Sequence, residues 1–329
     1  MKRTPLRDRL IPKGRTIFFN EEAHKYTNEL GIPYTSMTTV IKKYEVHKDF
    51  ETIAKACEAI GKNPRHPKYE HYKGKTWKQL ITKWEDTTKT SCEFGTNKHS
   101  YLEQTIKNSN GYNRNNNGYI NDKIATLDDI IEKHNYGRLK IEDFKATGID
   151  ERYPEIFAIV VGLVKAGYYI YAEIGVYDDK YGISGLIDIL CIDHKTLEFI
   201  ILDWKTNKAP IRFDAGHYEK QKDGRLDLDK WKSSNDKMQF PLDDLDDSTG
   251  NHYALQLSGY AYLVSTFGYK FKGIILCHIR PIEHKFLDRS QWEEVVEIYK
   301  IPYLENQVKL MMNNHMMNNM EQQTKLMLL

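Results

Sequence analysis

At 329 residues the chain can bury a sizeable core, so one α/β nucleus with insertions fits it better than several small domains. Its 48 basic and 46 acidic residues leave a net charge of +2, which does not announce nucleic acid and confines any basic surface to a local patch. Cys57, Cys92, Cys191 and Cys277 stand apart with no CxxC or Cys/His cluster, and neither an apolar leader core nor an apolar run of ~18 residues is present. Structural zinc, a disulfide framework and a membrane span are thereby disfavoured, and a soluble cytoplasmic protein is expected.

Residues 17 to 44 read as a short strand or hairpin, Ile17-Phe18-Phe19 and His24-Lys25-Tyr26, turning at Gly31-Ile32-Pro33 into a helix that opens at Thr35 or Ser36. From Thr76 onward, Trp77, Leu80, Ile81 and Trp84 recur at the spacing of an amphipathic helix. Projected further, the stripe passes Cys92, Gly95, His99, Leu102 and Glu103. His99 and Glu103 then share the inner face, and Gly95, one turn earlier, leaves room for another group to approach. His99 is either a hydrogen-bonded core residue or a ligand. The asparagine-rich run 108 to 119 predicts a flexible loop, with a helix resuming near Leu127 and another from about Glu151 to Ala166.

Three strands are expected next: Tyr168 to Tyr177, with Glu173 between Ala172 and Ile174, then 183 to 193 and 198 to 205, joined by the turn Asp193-His194-Lys195-Thr196. Asp188 interrupts the apolar run Leu186 to Ile192, and Phe199-Ile200-Ile201-Leu202 ends in Asp203-Trp204-Lys205. Positions i and i+2 of a strand share a face, so Asp203 and Lys205 point one way and Trp204 the other. Buried carboxylates are costly unless their charge is offset. Two arrangements meet that need. One is a hairpin in which Asp188 is a buried hydrogen-bond acceptor and Asp203 and Lys205 form an edge salt bridge. The other is a divalent cation held by Asp188 and Asp203 with Lys205 alongside. Removing either acid is expected to relieve like-charge repulsion and raise the stability of the metal-free protein.

Between Thr206 and Gly250 the sequence turns polar and irregular, and its acidic patch Asp243-Asp244-Leu245-Asp246-Asp247 matches no calcium-loop spacing and reads as a solvated loop. The segment is either an insertion without a role or a flap over the site. A helix over 251 to 267 places His252, Gln256 and Tyr260 on one face, and a strand runs from Gly273 to Ile279. Ser290-Gln291-Trp292-Glu293 is a capping-box pattern that predicts a last helix. The tail 311 to 329 holds six of the nine methionines, with Met312, Met316 and Met320 at i+4 intervals: a partner-binding helix or a frayed end.

Helix, three strands, helix, strand, with an acid on the second strand and Asp-x-Lys on the third, resembles the PD-(D/E)XK nuclease superfamily. Within it the nearest likeness is to the RecB-like exonuclease branch common in phage and bacterial recombination systems. The resemblance covers roughly residues 88 to 280. Gly95-Thr96-Asn97-Lys98-His99 with Glu103 looks like that branch's helical histidine motif, and Glu173 matches its first-strand acid. Gly185-Leu186-Ile187-Asp188 looks like its GxxD, Asp203-Trp204-Lys205 its (D/E)xK, and Gln256-Leu257-Ser258-Gly259-Tyr260 its QxxxY helix.

The resemblance implies a restriction-endonuclease-like α/β core over 88–283, a mixed sheet flanked by helices, with 206–250 as a polar insertion. A hairpin and helical region, 1–87, would precede it, and a helix and tail, 284–329, would follow. It implies a DNA exonuclease that hydrolyses phosphodiester bonds from ends during recombination, repair or replication. The alternatives are an endonuclease of the same superfamily or a non-catalytic DNA-binding protein. Asp188, Asp203, the Trp204 carbonyl and, by resemblance, His99 would hold Mg²⁺ or Mn²⁺. Lys205 would orient water or offset phosphate charge. By resemblance Glu173 would tune the metal site, and Gln256 and Tyr260 would hold the DNA backbone or the lysine, or else only cap the core helix. Related iron–sulfur nucleases carry a C-terminal cysteine cluster, whereas here only Cys277 lies beyond residue 191, so no iron–sulfur cluster is expected. The implied partner is DNA, as single strands or duplex ends. Arg212, Lys220, Lys222 and Arg225 would meet phosphates and Trp231 would stack on bases. A protein partner through the methionine-rich tail is a further expectation.

Overall fold

The computed structural model describes residues 17–20, 25–28, 30–111, 137–221, 225–282, 284, 286–287 and 291–327. It is a mixed α/β chain with a central mixed sheet flanked by helices. Two compact units divide it, Val46–Lys98 in one and Met1–Glu45 with His99–Leu329 in the other. Among the described residues no helix is long and apolar enough to cross a membrane. The helix expected near Leu127 lies outside the described residues, as does Lys222.

In the smaller unit, α2 (Phe50–Ile60) starts at Asp49, whose Oδ1 accepts the Glu51 and Thr52 N–H groups. After α3 (Tyr69–Tyr72), α4 (Trp77–Ser109) continues past Lys98 into the larger unit. Ala54, Cys57 and Leu80 are buried here with Trp77 and Trp84 against them, and the Glu58 carboxylate accepts the Trp77 N–H at 2.8 Å.

The larger unit begins with β1 (Phe18–Asn20), β2 (Lys25–Thr27) and β3 (Pro33–Ser36), and Ser36 caps α1 (Met37–Lys42) by accepting the Thr39 N–H. The short helices α5 (Ile141–Ala146) and α6 (Ile149–Arg152) lead to α7 (Pro154–Lys165). The single helix expected from Glu151 is thus interrupted at Tyr153, because Pro154 has no N–H and disfavours a helical residue before it; it sits instead at the start of α7. The sheet then forms from β4 (Tyr169–Asp178), β5 (Ile183–Asp193) and β6 (Glu198–Lys205). After β7 (Gly216–Lys220), β8 (Leu226–Ser233) and α8 (Thr249–Thr266) it is completed by β9 (Lys270–Pro281) and β10 (Glu294–Lys300), with α9 (Glu305–Met327) last.

The strand order is β1-β2-β3-β5-β6-β9-β10, with β4 on the other edge of β5. Strand β5 is antiparallel to both β4 and β6, and β9 runs parallel to β6. Both faces are covered. On one, Tyr171, Ile187, Ile201 and Leu276 pack with α1, α8 and the start of α9; on the other, Ala172, Ile189, Leu202 and Trp204 pack with the end of α4 and with α5 to α7.

Three expectations are corrected. Residues after the capping-box pattern form β10 instead of a helix, because Val295, Val296 and Ile298 are β-branched and the edge of β9 offers them a ladder. The polar stretch 206–250 holds a two-stranded antiparallel sheet, β7 with β8. Its acidic patch acts as a staple: Asp246 accepts the Ala215 N–H and pairs with Lys237, and Asp247 meets His252 at 2.6 Å. The methionine stripe is core at one end, with Met311 and Met312 buried under α1 and α8, while Met317 and Met320 are exposed.

Candidate active site

Strands β5 and β6 part company in the middle of the sheet. Their pairing ends at Ile189 opposite Leu202, although β6 stays paired with β9 as far as Lys205 opposite His278, and β4 follows β5 to its start. Past that rung the Trp204 N–H has no β5 carbonyl to meet, and Asp188 Oδ2 accepts it at 3.0 Å instead. A residue's N–H and C=O lie on the same edge of a strand, so the Trp204 carbonyl also faces the gap.

The acids gather at this opening. Asp203 is 1 % exposed, and Lys205 Nζ stands 2.5 Å from its Oδ2 in a close ion pair. His99, on the last turns of α4, places Nδ1 3.3 Å from Asp188 Oδ2. Glu103, one turn further, is ion-paired with Lys107. Glu173 occupies the β4 rung opposite Asp188 with φ +56°, a left-handed conformation that is costly for a residue with a Cβ.

Both strands change phase at that rung. On β4, Ile170 and Ala172 face the α4–α7 side, yet Ile174 and Val176 face α8. On β5, Ile183 and Ile187 face α8, whereas Ile189 and Cys191 face the other way. Strict alternation would keep each set on one side. The two irregularities lie side by side, so the ladder keeps its register on either flank.

Helix α8 supplies the wall on the other side. Tyr260 is buried, its hydroxyl accepts from Gln256 Nε2 at 3.1 Å, and Gly185 lets the ring lie on β5: a Cβ there would stand 2.1 Å from Tyr260 Cε1. The Lys205 ammonium lies 5.0 Å from the centre of the Tyr253 ring. His252, expected on the Gln256/Tyr260 face, instead meets Asp247 and Glu45. Tyr253 carries the signal that periodicity offers, since 253, 256 and 260 are spaced i, i+3, i+7. Tyr26 of β2 had no such signal: its burial beside Tyr260, Glu173 and Asp188 raises its hydroxyl pKa, and only the pairing of β2 with β3 and of β3 with β5 brings it there.

The electrostatics follow from burial and crowding. Burial, then Asp188 and Glu103, push Glu173 well above the usual carboxylate range. Asp203 is pushed up to about 6, by burial first, with Lys205 opposing and Asp188 adding. Burial would raise Asp188 too, but His99, Lys205 and the Trp204 N–H outweigh it and hold Asp188 down. For His99 burial is outweighed by Asp188 and Asp203, so its pKa rises; Lys205 rises as well, its burial outweighed by Asp203 and Asp188. Carboxyls raised on folding bind protons more tightly folded than unfolded, so their stabilisation is present at low pH and is lost as pH climbs through the folded values. The metal-free protein is therefore expected to melt at lower temperature as pH rises from the ordinary carboxylate range through about 6, and Glu173→Gln to flatten that slope and raise the melting temperature at its upper end. Differential scanning calorimetry in EDTA measures this, and an unchanged slope would mean that Glu173 ionises normally in the folded state.

Among the described residues no three His, Cys, Asp or Glu side chains are gathered into a cage for an ion; His99 with Asp188 and Asp203 with Lys205 stand as two pairs. The donors nonetheless suit a hard cation: the carboxylates of Asp188 and Asp203 and a carbonyl on the open edge.

The residues expected on DNA are only partly placed for it. Arg212 binds Asp214 at 2.9 and 3.1 Å and lies 4.5 Å from the Trp231 ring, and Tyr218 packs edge-on against the same indole. These rings are packed within the hairpin segment instead of being presented to bases. Lys220 is exposed and Arg225 lines a cleft beside β8.

No protein-family model, curated protein or solved structure matches this chain.

Proposed function

We propose that the chain is a metal-dependent DNA nuclease of the PD-(D/E)XK type that degrades strands from their ends, in recombination or repair. The observation that carries the reading is the parting of β5 and β6, which leaves Asp188, Asp203, Lys205 and the Trp204 carbonyl at one opening with His99 beside it. Asp188, Asp203, the Trp204 carbonyl and His99 would hold Mg²⁺ or Mn²⁺, which when bound supplies polarisation of the phosphate and acidification of a water.

The rest falls to the chain's own side chains. Lys205, held charged by Asp203, offsets negative charge on the phosphate and donates to an attacking water. Asp203 fixes that ammonium in place, and Tyr253 restricts it from the other side. Glu173, whose carboxyl burial and then Asp188 push well above the usual range, stands beside Asp188. Tyr260, tied to Gln256, closes the α8 side and limits water.

The test is digestion of end-labelled linear DNA and of covalently closed circles by the purified protein. With Mg²⁺ or Mn²⁺ the linear strands are expected to be consumed and the circles spared, and EDTA is expected to abolish cleavage. Full activity in EDTA would overturn the metal, and nicking of circles as fast as linear digestion would overturn the requirement for an end.

A further inference from the structure

Beyond the carboxyl ends of the two parallel strands β6 and β9 lies a small, open cleft. Among the described residues its walls carry three cations, Lys208, Arg225 and Arg280, and no carboxylate. Glu297, from the neighbouring strand, clamps Arg280 through Nε and Nη2 at 2.9 and 2.7 Å, which fixes the guanidinium in place. Lys208 extends over the Trp292 ring, 4.7 Å from its centre. The floor is apolar, formed by Leu228, Pro281 and Ile282, of which Leu228 and Ile282 are exposed.

The geometry points to a binding site for one nucleotide unit of a single DNA strand, its phosphate on Lys208, Arg225 and Arg280 and its base on the Leu228–Ile282 floor. A bare anion would use the cations and leave the floor wet, and an apolar ligand would leave the cations unused. A phosphate joined to a flat base uses both. The base must be unpaired to reach the floor, which selects single strands over duplex. The cleft is also close to the catalytic lysine. Lys208 is three residues past Lys205, a reach of at most ~10 Å, and Arg280 is two past His278, the register partner of Lys205. That reach is about three stacked nucleotides at ~3.4 Å each. The assignment rests on the nuclease reading for its ligand and stands on its own for its geometry.

The test is fluorescence anisotropy with the full-length protein in EDTA and a labelled single-stranded oligothymidylate, titrated at several salt concentrations. Lys208→Ala with Arg225→Ala is expected to weaken binding about tenfold or more and to lower the salt slope by about one or two. Lys208→Arg should restore most of the loss in the Arg225-intact protein, and Ile282→Glu should weaken binding with all three cations present. Thymidine monophosphate should compete better than inorganic phosphate. Unchanged affinity and slope in the double variant would overturn the site. Equal competition by inorganic phosphate would overturn the role of the floor, and equal competition by polyglutamate would overturn the nucleotide. Linear DNA digested with Mg²⁺ while the variants bind normally removes the cleft and leaves the nuclease. Variants that lose binding in a protein that cleaves nothing would do the reverse.

Discussion

Lys205→Ala is expected to lower metal-dependent DNA cleavage by about 10²–10³-fold, the usual cost of removing one pre-positioned group that meets developing charge. Asp203→Ala should abolish cleavage too, but with a different effect on folding. The sequence alone suggests that deleting either acid relieves repulsion and stabilises the metal-free protein. The 2.5 Å contact between Asp203 and Lys205 reverses that expectation for Asp203, because its removal strands a buried ammonium. Breaking a buried pair from one side costs roughly 3–5 kcal/mol. Glu173 is the acid whose loss should stabilise, since Asp188 and Glu103 crowd it. Single-turnover cleavage and thermal melts of the variants separate these effects. A Lys205→Ala protein within a few-fold of wild type would remove Lys205 from the chemistry, and an Asp203→Ala protein that melts higher than wild type would contradict the pairing.

Gly185→Ala should be among the most damaging single-methyl changes in the molecule. The added Cβ would stand 2.1 Å from Tyr260 Cε1 and 2.8 Å from Cζ, and the ring is buried with its hydroxyl tied to Gln256. Neither β5, in mid-sheet, nor α8 can yield without disturbing the site. Overpacking of this kind costs about 1–3 kcal/mol. The melting temperature is expected to fall by several degrees, at roughly 2–4 °C per kcal/mol. Adding Tyr260→Leu should recover stability by vacating the space, while cleavage stays low. If Gly185→Ala melts with wild type, the ring is not where it is placed here.

Much of the centre was legible because charge in an apolar run is a strong signal. Asp188 and Asp203 stand out against Ile, Leu and Phe neighbours, and the i, i+2 spacing of Asp203 and Lys205 fixes their shared face. Helix α8 and the end of α4 were equally readable from periodicity. What was not legible is whatever depends on a partner distant in sequence. A helix-start pattern stands just before β10, and only the open edge of β9 decides against a helix there. Tyr26 reaches the site through two strand pairings that no local pattern announces. Arg212 and Trp231 look like free nucleic-acid contacts until each is found against the other. Helix α2 was legible as well, since Phe50, Ile53, Ala54 and Cys57 recur at helical spacing behind the capping residue Asp49.

The matched change of phase at Glu173 and Asp188 has a consequence for how this sheet can vary in length. Deleting Glu173 alone would make Ala172 and Ile174 neighbours on opposite faces, as simple alternation requires, but it would leave Asp188 as an unmatched bulge in β5. Deleting one residue at each of the two positions would cancel: both strands would regain simple alternation, every apolar side chain would keep its face, and the ladder would close without a seam. Such a doubly shortened sheet is the simpler object to fold, and it would lack both carboxylates. The extra residue in each strand is therefore one that simple alternation does not require, and because the two lie opposite each other the ladder keeps its register across them.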